Sequence, residues 1–365
     1  MTTILLAAGG TGGHVFPAVA VAEQLRQRGH RTIFITDHRG KKMIPDDFRR
    51  KAIFAASPYG ATLMARLKGM TKLALGMAQT TLTLLWHRPG VVIGFGGYPA
   101  VAPVLMGRIM GMPTMLHEQN AFFGRANGFL AQHAAIIGLS WEMTKNIPSG
   151  ATSKTALVGM PVRNAFSQIA ETGYTAPEDN GEIRLLIVGG SLGAAVFGDT
   201  VPEAISRLPK ELRARLNVTH QVRESQFDDV RAKYDAAGIK AELAPFIHDM
   251  AEKMAATHLV IGRAGASSVA ELAAAGRPAM LVPYPDAMDD HQTANAEAVV
   301  SSGGGWLIPE HEMSAGSLAG KIATLISSPD RLRTAADAIQ SLNSSHAAGR
   351  IADQLLSLTA SGDRL

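Results

Sequence analysis

The sequence predicts an α/β protein of two Rossmann-like domains facing a cleft, with a C-terminal helix that returns to the N-terminal domain. Three observations predict it. Short apolar runs that suit strands buried on both faces of a parallel sheet recur along the chain, among them Ile4 to Ala8, Val91 to Gly94, Leu185 to Val188 and Leu259 to Gly262. Each leads straight into a glycine-containing loop and then a helix-like segment. The pattern also restarts after the polar stretch Glu171 to Glu182, so the second half repeats the architecture of the first. Open sheets of this kind bind ligands beyond the carboxyl ends of their strands, which favours a nucleotide on one side of the cleft and an acceptor on the other.

Length and composition agree. A chain of 365 residues is enough for two or three domains with full cores, and 46% apolar with 18% charged residues marks a globular protein rather than a disordered one. The absence of cysteine excludes a disulfide scaffold and a thiolate metal site, and fits a cytoplasmic address. No basic residue precedes the first apolar run, which passes directly into a glycine loop, so no signal peptide is expected. The net charge of +4 suggests an anionic partner, but with 5% aromatic residues and no basic helix, nucleic acid is not that partner.

In chain order, the strand Ile4 to Ala8 feeds Gly9-Gly10-Thr11-Gly12-Gly13-His14, and a helix from Pro17 to Arg28 follows, with Pro in its first turn and Gly29 at its end. Such a loop lets a ligand approach the main chain, and the helix N-terminus offers free N–H groups and partial positive charge to an anion. A dinucleotide fingerprint would need a third glycine where Val15 stands. His14, at the junction of loop and helix, is the first candidate base. Arg31 to Thr36 is the second strand, and Asp37 after it is expected to be an unpaired surface residue. The segment Met64 to Trp86 mixes Leu and Met with Arg66, Lys68 and Lys72. It is too broken by polar residues and Gly76 to span a bilayer, and two readings stay open: an interfacial helix on an anionic membrane, or an amphipathic helix with its stripe in the core. A second glycine loop, Phe95-Gly96-Gly97-Tyr98-Pro99, follows Val91 to Gly94. The strand Thr114 to Leu116 then carries His117-Glu118-Gln119-Asn120 at its end, read either as a functional group or as helix capping by Asn120.

Gly159-Met160-Pro161-Val162-Arg163 begins the boundary between halves. In the second half, Leu185 to Val188 feeds Gly189-Gly190-Ser191-Leu192-Gly193 and a helix from Ala194. A strand near Val218 to Gln221 and a turn from Pro245 to Met250 follow. The strand Leu259 to Gly262 then feeds Arg263-Ala264-Gly265-Ala266-Ser267-Ser268 and a helix that carries Glu271 and stops at Gly276. After the strand Ala279 to Val282, the loop Pro283 to Gln292 holds Asp286, Asp289, Asp290 and His291, read as a solvated loop with helix-capping acids and not as a metal site. Ala347 to Leu358 is a helix that folds back onto the first domain. Domain boundaries are expected at 1–163, 164–343 and, for the returning helix, 344–365.

The motifs GGTGGHVFPA, GFGGYPA, HEQN, GMPVR, GGSLGA, FIHDM, GRAGASSVAEL and DHQTANA, in this order over nearly the whole chain, closely resemble those of the MurG family, the peptidoglycan N-acetylglucosaminyltransferases of the GT-B class. The resemblance implies transfer of N-acetylglucosamine from UDP-N-acetylglucosamine to the muramoyl 4-hydroxyl of lipid I, with inversion, giving lipid II. It places the donor on the C-terminal domain and the acceptor against the N-terminal one, with the acceptor diphosphate held by Gly10, Thr11, Gly12, Gly13, Gly96, Gly97 and Tyr98. It assigns Ser191 to the donor phosphate, Phe246 and Ile247 to the uracil, Glu271 to the ribose, Gln292 and Asn120 to the sugar and Arg163 to the donor, with Thr11, Gly12 and Gly13 also near it. His14 becomes the general base or positions the acceptor hydroxyl. The chain has no Asp-x-Asp metal motif, so backbone N–H groups at Ser191 and at Ala266, Ser267 and Ser268 take over the leaving diphosphate, with no metal or other cofactor. The chain departs from the family pattern at Met160, Leu192 and His291. Implied partners are the anionic cytoplasmic membrane surface, where the protein would be peripheral, and other cell-wall and division proteins. A sugar-nucleotide epimerase, a nicotinamide dehydrogenase (disfavoured by Val15) and an inert donor-binding scaffold are the competing readings.

Overall fold

The computed structural model describes residues 1–56, 62–169, 172–190 and 193–362. They form two compact units, Met1–Arg163 with Ser344–Leu365, and Asn164–Asn343. The first holds a seven-stranded sheet of β1 (Thr3–Ala7), β2 (Arg31–Thr36), β3 (Arg49–Ala52), β4 (Val91–Gly94), β5 (Thr114–Glu118), β6 (Ile136–Leu139) and β7 (Thr155–Leu157), in the order β3-β2-β1-β4-β5-β6-β7. The second holds a six-stranded sheet of β8 (Ile183–Val188), β9 (Leu216–Gln221), β10 (Lys240–Ala244), β11 (Leu259–Gly262), β12 (Ala279–Leu281) and β13 (Gly305–Leu307), in the order β10-β9-β8-β11-β12-β13. Every strand pair is parallel. Both units are therefore doubly wound Rossmann-like domains, as the repeated strand–loop pattern predicts. In each, the strand order reverses beside the first strand, between β1 and β4 and between β8 and β11, which is where a ligand-binding crevice opens in such sheets.

Burial follows from the parallel arrangement. In β1, Ile4 and Leu6 join one core with Val15, Val21 and Leu25, while Leu5 and Ala7 join another with Ile35, Val104 and Leu116. All four strand residues are fully buried, which is why the run reads as continuously apolar. In the second unit, Ile183, Leu185 and Ile187 pack against Phe197, Val201 and Ile205. The helix Ala347–Gly362 packs on the helix Gly12–Gln27, burying Ile351 and Leu355 in the core of the first unit.

Two elements differ from expectation. The first helix begins at Gly12 and not near Pro17: Thr11, in an extended conformation, is its N-cap, so Gly12, Gly13 and His14 make its first turn. Pro17 lies inside this helix and, having no N–H, withholds the bond that Gly13 carbonyl would otherwise accept. The segment after β3 forms the helix Leu63–His87, and most of its large apolar side chains face away from the domain. The face turned inward carries Gly69, Gly76, Thr80, Thr83 and Leu84, while Leu67 (60% exposed), Leu82 (66%) and Trp86 (84%) face outward with Met70, Leu75 and Leu85. A Cβ at Gly76 would collide with the Phe54 carbonyl oxygen, so glycine there allows the helix to lie close to the domain. The reading that buries the apolar stripe in the core holds for Leu73, Met77 and Leu84 and fails for the exposed Leu67, Met70, Leu75, Leu82, Leu85 and Trp86. Among the described residues, no helix is long and apolar enough to cross a membrane.

This division separates neighbours on one helix. Leu84→Ala, which empties a fully buried site, should destabilise the first unit by about 2–5 kcal/mol, whereas Trp86→Ala should stay within about 0.5 kcal/mol. Urea unfolding followed by circular dichroism checks both, and equal losses for the two variants would refute the assignment of faces.

Candidate functional site

In the first unit, two loops meet at the switch point. The loop after β1 is held from below by Asp37, whose Oδ1 accepts Gly10 N–H at 3.2 Å and Gly40 N–H at 2.8 Å. Asp37 is thus not the unpaired surface residue the sequence suggested: β2 runs beside β1, so the residue that follows β2 lies beside the neighbouring loop. The loop after β4 packs against the first. Gly96 and Gly97 both have positive φ, 87° and 71°. A Cβ at Gly96 would stand 3.1 Å from the His14 imidazole and 3.3 Å from Gln119 Oε1, and one at Gly97 would stand 2.9 Å from Gly9 carbonyl oxygen. The candidate diphosphate residues Gly10, Thr11, Gly12, Gly13, Gly96, Gly97 and Tyr98 are therefore brought together by these two loops. The Thr11 side chain makes no capping bond to the helix. Arg163 places its guanidinium 5.2 Å from the centre of the Phe16 ring, one turn along the same helix.

His117 and Glu118 do not hang from β5 but are its last two residues, and both are buried with Gln119. His14 Nδ1 lies 3.0 Å from Gln119 Oε1, and Gln119 Nε2 lies 3.0 Å from His117 Nδ1. His117 Nε2 in turn meets the Gly159 carbonyl at 2.9 Å. Glu118 serves as a hub for the loop beyond: its carboxylate accepts the backbone N–H of Asn120 (3.1 Å) and Gly124 (3.0 Å) and the Asn127 amide (2.8 Å). Asn120 does not cap a helix. The helix that follows, Arg125–Leu130, has Gly124 at its N-cap, and the Asn120 side chain bonds Glu118 at 3.3 Å. His117, Glu118 and Gln119 are absent from the residues assigned roles from the sequence, although the HEQN stretch that contains them was a visible signal.

In the second unit, Ser191 and Leu192 lie outside the described residues. Around them, Gln221 at the end of β9 accepts Gly189 N–H (3.2 Å) and donates to Gly190 (3.0 Å) and Pro245 (3.3 Å) carbonyls, tying the glycine loop to the segment that carries Phe246 and Ile247. Phe246 is exposed, its ring edge-on to His248, and Ile247 is buried. The helix Ala266–Ala275 follows β11 with Gly265 at its N-cap and no capping side chain, so the N–H groups of Ala266, Ser267 and Ser268 point beyond the strand ends. The Ser267 hydroxyl is buried with no partner among the described residues. Glu271 is the sixth residue of this helix and is buried. Asn295, fully buried, donates to the Ala264 carbonyl at 3.0 Å and fixes the same loop from the next helix, His291–Ser302. Gln292 in its first turn accepts Tyr284 N–H at 3.1 Å. Asp290 occupies the N-cap position but accepts the Thr293 hydroxyl and not a backbone amide, which corrects its reading as a capping acid. Gln221 had no signal in the sequence; Asn295 lay within a noted motif.

Two doubly wound domains with glycine loops at both switch points fit the two-domain GT-B fold. The glycosyltransferase family 28 N-terminal domain matches residues 4–138 and the family 28 C-terminal domain residues 184–355. The chain is 42% identical over its whole length to a UDP-N-acetylglucosamine–N-acetylmuramyl-(pentapeptide) pyrophosphoryl-undecaprenol N-acetylglucosamine transferase of Rhodospirillum centenum, covering 96% of that protein. It is 46% identical to the protein of the same name from Rhodospirillum rubrum, over 98% of this chain and 92% of the relative. Among solved structures, MurG of Acinetobacter baumannii superposes with a TM-score of 0.80 at 28% identity, covering 98% of this chain and all of that one. A putative UDP-N-acetylglucosamine 2-epimerase from Listeria monocytogenes, at 14% identity and a TM-score of 0.67 over 96% of this chain and 94% of that one, shares the fold. The chain belongs to the MurG family of N-acetylglucosamine transferases.

Burial sets the charge state of three histidines. It holds His117 and His258 down to about 4 and His220, bonded through Nδ1 to the Tyr234 hydroxyl at 3.0 Å, to about 3. For His117 the bond to Gly159 works weakly against this, and for His258 the nearby Arg184 and Arg277 add to it. All three are neutral in the fold at physiological pH. An unfolded chain takes up protons at these residues near pH 6.5, while the folded chain does not until near 4 or below, so stability is full above about 6.5 and falls with pH beneath it. His117 alone should account for about 3 kcal/mol between pH 7 and 4. Urea midpoints measured across this range should fall steadily, and an NMR titration should leave the His117 ring unchanged above pH 5. A flat stability profile would contradict its neutral burial.

Proposed function

We infer that this chain transfers N-acetylglucosamine from UDP-N-acetylglucosamine to N-acetylmuramyl-(pentapeptide) pyrophosphoryl-undecaprenol, joining it to the muramoyl 4-hydroxyl with inversion and forming lipid II. The full-length likeness to transferases of that name supports the activity. The observation that carries the mechanism is the convergence of the two glycine loops on His14 at the first switch point. The acceptor diphosphate binds the open N–H groups of Gly12 and Gly13 and the loop Gly96–Tyr98, in the partial positive field of the helix N-terminus. His14 removes the proton from the acceptor hydroxyl. The donor binds the second unit: uracil against Phe246 and the backbone of Ile247, ribose hydroxyls on Glu271, and diphosphate on Ser191 and the uncapped N–H groups of Ala266, Ser267 and Ser268. Gln292, Asn120 and Arg163 complete the contacts to the sugar and donor. Residues 1–163, with the helix from 344, are the acceptor domain and 164–343 the donor domain.

The acceptor is anchored by a polyprenyl chain, so the enzyme works peripherally at the cytoplasmic face of the membrane. The outward face of the helix Leu63–His87 supplies the contact. Its Leu, Met and Trp side chains enter the interface, and Arg66, Lys68, Lys72 and Arg88 meet anionic lipid, each adding about 1 kcal/mol near such a surface.

Incubation with UDP-N-acetylglucosamine and a lipid I analogue, followed by product analysis, should yield the disaccharide; no transfer, or epimerised donor alone, would reject the activity. His14→Ala should lower kcat by about 10² to 10⁴ while calorimetry shows donor affinity unchanged, and an unaltered kcat would remove His14 as the base. The pair Lys68→Glu with Lys72→Glu should leave Tm within a few degrees and turnover of a soluble acceptor intact. Its binding to anionic vesicles should fall at least about tenfold, and the parent's binding should weaken with salt, as expected of charges screened beyond about 8 Å. Cosedimentation indifferent to both changes would move the membrane contact elsewhere.

A further inference from the structure

The chain of bonds behind His14 has a direction that its chemistry dictates. The Gly159 carbonyl can only accept, so His117 Nε2 carries the ring's proton. Ser140 agrees: its hydroxyl proton is committed to the Glu118 carbonyl at 2.7 Å, so at 3.4 Å from His117 Nε2 it too can only accept. His117 Nδ1 is then a lone pair that needs a donor, and the Gln119 amide nitrogen supplies it at 3.0 Å. The second N–H of the same amide donates to the His117 carbonyl at 3.0 Å. Turning this amide over would set Oε1 against both a lone pair and a carbonyl oxygen, so its orientation is locked. Gln119 Oε1 therefore faces His14 Nδ1 as an acceptor, and His14 Nδ1 must bear hydrogen. The far end is anchored as well, since Arg350 on the returning helix donates to the Val158 carbonyl at 2.9 Å, next to Gly159.

We propose that Gln119 and His117 are positioning residues for the transfer, a relay fixed on the Gly159 carbonyl that holds His14 with its proton on Nδ1 and its lone pair on Nε2. This rests on the reading of His14 as the base. Nε2 takes the acceptor hydroxyl's proton as the hydroxyl oxygen bonds to the anomeric carbon, and the electron pair of the broken bond leaves with UDP. Histidine in water favours the opposite form, with the proton on Nε2, which would present an N–H where a base is required. The relay thus does for His14 what a buried carboxylate does in hydrolase triads, but with a neutral amide that orients the ring without adding a charge.

The test is the tautomer itself. In the full-length protein labelled with 15N-histidine at pH 7.5, long-range proton–nitrogen correlation should show His14 protonated on Nδ1 and His117 on Nε2, the two rings in opposite forms. Gln119→Leu should shift His14 towards the Nε2-protonated form and lower kcat about 10- to 100-fold, with KM for both substrates within about threefold. Gln119→Glu guards against a folding defect. It keeps an acceptor for His14 Nδ1–H but sets a carboxyl oxygen against the His117 lone pair and carbonyl, so one further proton should be taken up between that carboxyl and His117 while His14 keeps its form and most of the turnover. Parent His14 protonated on Nε2, or a His14 signature unmoved in Gln119→Leu, would overturn the relay. If instead the tautomers appear as described while His14→Ala retains its kcat, the base reading fails and the relay stands.

Discussion

Both domains are governed by one constraint: a parallel sheet buried on both faces has no room for polar chemistry except beyond its strand ends. Ile4, Leu5, Leu6 and Ala7 are all fully buried, and the helices that cover them leave only the carboxyl edge open. The crevice at that edge opens where strand order reverses, between β1 and β4 and between β8 and β11. The glycine loops, His14 and the uncapped helix starts all stand there because the sheet permits them nowhere else.

Within that crevice, glycine has a second purpose besides ligand approach. Gly96 and Gly97 leave the space through which His14 reaches Gln119, so the two loops form one surface backed by a buried polar network. Such a network is costly if half made, because an unpaired buried polar group loses roughly 1–3 kcal/mol. Here the bonds pass from His14 to the Gly159 carbonyl, and Glu118 beside them ties down the loop from Asn120 to Gly124. The second unit uses single amides in the same way: Gln221 and Asn295 each fasten a loop at the carboxyl ends of the strands.

The helix Leu63–His87 departs from the usual division of labour. Its inward face mixes Leu73, Met77 and Leu84 with small and hydroxylic residues, Thr83 bonding back to the Gln79 carbonyl, and most of its large apolar side chains face out. An exposed apolar face flanked by basic residues is expensive in water unless something covers it, and the membrane contact proposed above would cover it.

The central strands, the helix stops at Gly29 and Gly276 and the restart of the pattern after Glu182 were legible in the sequence because they rest on local chemistry: runs of apolar residues, and glycines at positive φ where helices end. The strands that escaped notice are mostly at sheet edges. In β3, Arg49-Arg50-Lys51-Ala52, and in β10, Lys240-Ala241-Glu242-Leu243-Ala244, one side of the strand meets solvent and the apolar signal is diluted. His14 was evident from its place beside the glycines. Tertiary structure alone decided that Asp37 supports the first loop, that Asn120 answers to Glu118 and that Gln119 stands between two histidines, because each of these contacts joins separate β/α units brought side by side by the sheet or depends on which way a chain turns after leaving its strand. The face that the Leu63–His87 helix buries was decided the same way: both faces carry apolar residues, and only packing against the domain, close enough to exclude a Cβ at Gly76, selects between them.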